Sequence, residues 1–272
     1  MTPTSRPNLL WPTLTALVML AGGGCTKNGA SGVRDPEKAS LAEHDVAVDE
    51  FNKGSLRSAL VHAQKAVEFN EDNSQAQLMA ATIYLAFCAT SEPECRLGEA
   101  EQHARAALKI KPDFASATNT LGVILVRAKR YDDAIAVLKP LTENMVYSTP
   151  ELAWGNLGQA YLEKGDPDQA IVALRRAVAL QPGFCVGTYR LGQAYERKGD
   201  LRAAQQAYTT TVEAGYEACR FADVYEARAR VLSTLDDSSA ARADLQQCVR
   251  IGAGSPTAKR CGAMLGQASP SP

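Results

Sequence analysis

The chain has 272 residues, 46% of them apolar and 22% charged, a composition suited to a folded chain with a sizeable core. Its 29 basic and 30 acidic side chains leave a net charge of −1, which argues against nucleic acid or an anionic membrane surface as the main partner. The only histidines are His44, His62 and His103, and no phosphate loop or nucleophile motif is present. The chain is therefore read as a binding scaffold and not an enzyme, with no cofactor, no metal site and no small-molecule substrate.

In chain order, residues 1–24 read as a secretory signal: one basic residue, Arg6, an apolar stretch over 9–21, and the run Gly22, Gly23, Gly24 ending at Cys25. A stretch this short does not reach the roughly 20 apolar residues that a bilayer core requires. A Cys at the cleavage point resembles a bacterial lipoprotein signal, in which Cys25 is acylated and becomes the new N-terminus, although Gly22 stands where such signals carry Leu. Residues 25–39 follow as a flexible Gly-, Ser- and charge-rich tether with a reach of roughly 20 Å.

From residue 40 a helical-pair pattern with a period of about 34 residues takes over. Its clearest copy is 151–184, where Trp154, Leu157, Gly158, Tyr161, Ala170, Leu174, Ala177 and Pro182 occupy positions 4, 7, 8, 11, 20, 24, 27 and 32. Small residues at Gly158 and Ala170 let two antiparallel helices approach, and Leu157, Tyr161, Leu174 and Ala177 form the apolar stripe between them. Gly165 and Asp166 turn the chain, and Pro182 closes the second helix. The remaining copies fall at 40–73, 74–114, 115–150, 185–221 and 222–255, the second with seven extra residues and the third with two. Residues 256–272 supply a capping helix and a disordered Ser-Pro tail. Since one pair cannot bury its own face, the expected fold is all-α: a right-handed superhelical solenoid of about six tetratricopeptide repeats with a C-terminal cap.

The seven cysteines become six once Cys25 is set aside. Cys88 and Cys95 flank the insertion of the second repeat, where a bond would add roughly 2.5 kcal/mol by loop entropy. Cys185 and Cys219 lie one repeat apart, and Cys248 and Cys261 would tie the last repeat to the cap. No pair has C-x-x-C spacing, so disulfides in an oxidising compartment are preferred to metal. His62 and His103 share repeat position 23 and read as a solvated helix face. The pairs Asp132, Asp133 and Asp236, Asp237 fall at turns and are expected to cap helices, and Arg175 and Arg176 read as surface ion-pair donors.

First helices should line a concave face through positions 2, 5, 9 and 12. In the first four repeats these positions include Val48, Phe51, Leu78, Leu85, Val123, Val126, Leu152 and Leu162, an apolar groove fit for an extended or helical apolar segment. Further on the same positions hold Tyr189, Gln193, Glu196, Asp223, Glu226 and Arg230, so the C-terminal end is polar. A register error, or a superhelix tight enough to bury them, would make the apolar set core instead.

The runs NTLG at 119–122, YDDA at 131–134, NMVYSTP at 144–150 and WGNLG at 154–158 resemble the PilF/PilW family of type IV pilus biogenesis lipoproteins. Those proteins carry six repeats behind a lipoprotein signal and a short insertion with a Tyr, here Tyr147, between the third and fourth. The extra cysteines resemble those of the Tgl-like social-motility lipoproteins of myxobacteria. The resemblance implies a pilotin that helps the pilus secretin reach the outer membrane and form its multimeric ring. It also implies a lipid anchor in that membrane, on the periplasmic side. A periplasmic adaptor for cell-wall enzymes, or a component of outer-membrane protein assembly, is the alternative.

Overall fold

The computed structural model describes residues 35–90, 92–144 and 146–267. The expected signal, Cys25, most of the tether and the Ser-Pro tail lie outside the described residues. Within them the chain is a succession of α-helices: α1 (Pro36–Asn52), α2 (Leu56–Phe69), α3 (Ser74–Thr90), α4 (Leu97–Ile110), α5 (Ala115–Arg127), α6 (Tyr131–Thr142) and α7 (Pro150–Lys164). There follow α8 (Pro167–Leu180), α9 (Cys185–Lys198), α10 (Leu201–Glu213), α11 (Ala222–Thr234), α12 (Ser238–Ile251) and α13 (Pro256–Gln267). Short 3₁₀ turns stand at Glu92–Glu94 and Glu217–Cys219. The first helix begins at Pro36, inside the segment expected to be tether, because Asp35 accepts from the Lys38 amide at 3.2 Å and Pro36 fits the first turn.

Local chemistry sets the other borders. Gly165 and Gly199 close α7 and α9 in the left-handed region, φ 92° and 86°. Asp166, Asp200 and Asp237 then cap α8, α10 and α12, each accepting from the amide three residues on at 3.1 Å. Asp132 and Asp133 do not cap; they lie in the first turn of α6, where Asp133 pairs with Arg130 and Asp132 with Lys164 of the next repeat. Both carboxylates still sit at the positive end of the helix dipole. Asp236 instead takes a positive φ of 63° in the turn, leaving the cap to Asp237.

Three pairs close on the contact between a first-helix glycine and a second-helix side chain, Gly122 with Leu138, Gly158 with Leu174 and Gly192 with Tyr208. A Cβ on Gly158 would lie 2.5 Å from Leu174 Cγ, and one on Gly192 would lie 2.4 Å from the Tyr208 ring. The absent side chain is thus space that the partner helix fills. Alanines complete the seam: Ala59, Ala63 and Ala66, then Ala100, Ala104 and Ala107, then Ala170 and Ala177, all fully buried. Successive pairs share clusters. One joins Leu121, Leu125, Leu138 and Leu157 across α5, α6 and α7, and another joins Leu162, Leu174 and Leu191 across α7, α8 and α9. First helices also touch one another in order, α1 to α3, α3 to α5, α5 to α7, α7 to α9, α9 to α11 and α11 to α13, so they form one continuous layer.

Disulfides link Cys88 to Cys95, Cys185 to Cys219 and Cys248 to Cys261. They staple the α3–α4 insertion, the approach to α11, and the capping helix α13. Among the described residues no helix is long and apolar enough to cross a membrane.

Candidate functional site

The first-helix layer is where each expected groove residue can be placed. Val126 and Leu162 leave the groove altogether: at 7% and 1% exposure they belong to the shared clusters between repeats. Both side chains turn into a cluster shared with a neighbouring pair instead of toward solvent. Val48 and Phe51 pack partly against the first cluster, Leu78 beside Phe114 and Ala107, Leu85 beside the cluster of Leu121 and Leu125, and Tyr189 against Tyr208 and Phe221. Val123 and Leu152 are half-buried and belong to no core cluster, which leaves them as the apolar side chains best placed for a partner. The continuous apolar groove is therefore corrected to an apolar fringe on a layer whose centre is polar.

That centre was not foreseen. Asn156 of α7 donates to Asn119 of α5 at 3.0 Å, and Arg190 of α9 donates to the Asn156 side-chain oxygen at 3.3 Å and the Gly155 carbonyl at 3.4 Å. Burial pushes the Arg190 guanidinium down to about 10; the Glu163 carboxylate opposes this and the Arg127 charge adds to it. Arg197 of α9 meets Glu163 at 3.6 Å and also donates to the Leu162 carbonyl. Further on, Arg230 grips Glu196 at 2.7 Å and Arg260 grips Glu226 at 2.6 Å. Tyr208 donates to Glu196 at 2.8 Å, and burial, then the Glu196 charge, hold its hydroxyl well above the ordinary phenol range. Burial and the Asp223 charge push Tyr189 up to about 12, so both phenols are neutral, and the Tyr189 hydroxyl accepts from Gln193 at 3.1 Å.

The insertion before α7 packs its tyrosine inward. Tyr147 is 8% exposed against Leu141 and Ala153, and burial raises its hydroxyl. Its neighbour Val146 projects outward at 92% exposure.

The histidines are half-buried, not a solvated face. His62 meets Glu43 at 2.5 Å, and His103 meets Gln77 at 2.7 Å while stacking on Tyr84. Each histidine is covered by the first helix of its own pair, α1 over His62 and α3 over His103. Burial holds His103 below its usual pKa, so the fold prefers it neutral while the unfolded chain protonates it below about pH 6.5. Stability should therefore fall as pH drops below that value, and His103→Gln should flatten this part of the slope in denaturant titrations at mildly acidic and neutral pH. Arg175 and Arg176 are exposed and make no ion pair among the described residues. No group of three or more potential metal ligands occurs among the described residues.

Comparison with known proteins identifies the repeat type. Tetratricopeptide repeat family profiles match residues 96–146, 152–184 and 189–256. The type IV pilus assembly protein PilF of Pseudomonas aeruginosa is 24% identical over 213 residues, 75% of this chain and 81% of that protein. The chloroplastic tetratricopeptide repeat domain-containing protein PYG7 of Arabidopsis thaliana is 32% identical over 104 residues, 37% of this chain and 35% of that protein. The chain thus spans about a third of PYG7. Among solved structures, Pseudomonas aeruginosa PilF superposes with TM-score 0.66 at 21% identity, over 84% of this chain and 99% of that one. The type IV pilus biogenesis factor PilW gives 0.69 at 23% identity, over 81% and 97%. At these identities the superpositions speak to the fold.

Proposed function

Because this chain belongs to the tetratricopeptide-repeat family, we propose that it is a membrane-tethered, non-enzymatic scaffold acting as a pilotin. In this reading acylated Cys25 anchors it to the outer membrane on the periplasmic side. The first-helix layer then receives a segment of the unassembled type IV pilus secretin and promotes its multimerisation. The observation that carries the reading is the extent of the PilF match, 75% of this chain against 81% of a type IV pilus assembly protein. A continuous layer of first helices, edged by half-buried Val123 and Leu152, supplies the means of binding.

The test is an immunoblot for heat-resistant secretin multimers in membranes from a strain lacking the gene, complemented with wild type or with Val123→Glu and Leu152→Glu together. Multimers should be lost in the deletion, restored by wild type, and reduced at least several-fold by the double variant with its helicity intact. Val126 is unsuitable for this purpose, since a charge in its buried site would unfold the repeat. Undiminished multimers in the deletion strain would reject the pilotin reading in favour of an adaptor for cell-wall enzymes.

A further inference from the structure

Four contacts between neighbouring first helices recur at the repeat period of 34 residues: Asn156 with Arg190, Glu163 with Arg197, Glu196 with Arg230, and Glu226 with Arg260. In three of these rungs the arginine meets a carboxylate. Arg190 instead meets an amide oxygen and a backbone carbonyl, both beyond 3.2 Å, and makes no ion pair among the described residues. Arg127, two repeats back along the layer, likewise donates to a neutral acceptor, the Cys88 carbonyl at 3.2 Å. A half-buried guanidinium has lost much of its hydration, and neutral acceptors replace it poorly. The middle of the layer thus holds a guanidinium with no carboxylate in direct contact, ahead of carboxyl-terminal arginines that are already paired.

We propose that Arg190 is the docking point for an acidic side chain of a partner polypeptide, whose carboxylate completes the rung that Asn156 leaves neutral. The layer continues on both sides of Arg190, through α5 and α7 toward the amino end and α11 and α13 toward the carboxyl end, so a chain can pass across it. That favours a residue within a continuous segment over a chain terminus. Asn119, Asn156 and the fringe of Val123 and Leu152 lie along the same path and suit a segment whose acidic residue is flanked by small or apolar ones. The proposal rests on the first-helix layer being the partner-binding face and adds the chemistry it selects.

The test uses the full-length chain and short peptide pools, acetylated and amidated, degenerate in alanine, serine, leucine and valine around a fixed central residue. Fluorescence anisotropy should show the central-Glu pool binding about tenfold tighter than the central-Gln pool, the ratio one charge-assisted hydrogen bond of about 1.4 kcal/mol produces. Arg190→Gln should erase the preference. Asn156→Glu, which fills the rung from within, should erase it too while leaving the helical circular dichroism unchanged, and it decides the matter if Arg190→Gln fails to fold. Equal binding of the two pools, binding of neither, or a preference that survives in Asn156→Glu would overturn the proposal. So would a central-Gln pool with a free carboxyl terminus that binds as tightly as the Glu pool, which would assign Arg190 to a chain end. If the Glu preference is absent while Val123→Glu with Leu152→Glu still reduces secretin multimers, this proposal falls and the pilotin reading stands. The reverse result separates them in the other direction.

Discussion

Leu174→Ala is expected to lower the unfolding free energy by about 3–5 kcal/mol and the melting temperature by about 10 °C. Leu174 has no exposed surface and lies where a Cβ on Gly158 would be, so truncating it opens a hole between α7 and α8 that the backbone cannot collapse to fill. The same cluster contains Leu162 and Leu191, so the loss should spread to the α9 contact. Because repeats are coupled through such interfaces, denaturation curves should become less cooperative as well as shifted. A second substitution makes the packing explicit. Gly158→Ala alone should destabilise, its Cβ colliding with Leu174 despite the better helix propensity of alanine, whereas in the Leu174→Ala background it should be neutral or stabilising. A double-mutant cycle by urea titration measures this reversal, and additive effects would mean the two residues do not share the space.

A loss of similar size is expected from Arg228→Met. Arg228 on α11 donates to both carboxylate oxygens of Asp244 on α12, at 2.7 and 2.8 Å, and to the Thr209 hydroxyl on α10 at 3.2 Å. The side chains of the pair are 17% and 6% exposed, and the Asp244 hydrogen bond holds the guanidinium above its ordinary range. Removing the arginine leaves a carboxylate in a site with little water, a penalty of about 3–5 kcal/mol. Replacing both, as Arg228→Met with Asp244→Leu, should recover most of that, since the pair itself recoups only part of its desolvation. Denaturation midpoints of the two variants check the point. A single variant within about 0.5 kcal/mol of wild type would show the site to be solvated. The exposed pairs Lys164 with Asp132 and Lys198 with Asp168 are expected to contribute little, because water and salt screen them.

Much of the scaffold was legible because it depends on short-range chemistry repeated at a fixed interval. Gly158 opposite Leu174, Asp166 after Gly165, and Pro182 beyond α8 each act within one helix pair, and the interval carries the same pattern to the next. The cysteine pairs follow from where the insertion and the cap fall in that interval. The start of α1 escaped because the repeat register begins at Ser40, whereas the Asp35 cap and Pro36 extend the helix upstream of it. The polar rungs were missed although their signal was present: Glu163, Glu196 and Glu226 each stand 34 residues before an arginine, and Asn156 stands in the same relation to Arg190.

The sequence by itself determined the helices, their pairing, the number of repeats and the residues at each close approach, since all of these follow from helical periodicity and from which side chains fit between two adjacent helices. Only the tertiary structure decided which side of a first helix remains open. Val126 and Leu162 sit on apolar stripes that the sequence assigns equally well to a groove or to a core, and the rotation of each pair against the next turns them inward. Arg190 depends on the same rotation. Its charge is plain in the sequence, but the loss of water around it and the neutral acceptor facing it arise only when α7 and α9 are packed side by side.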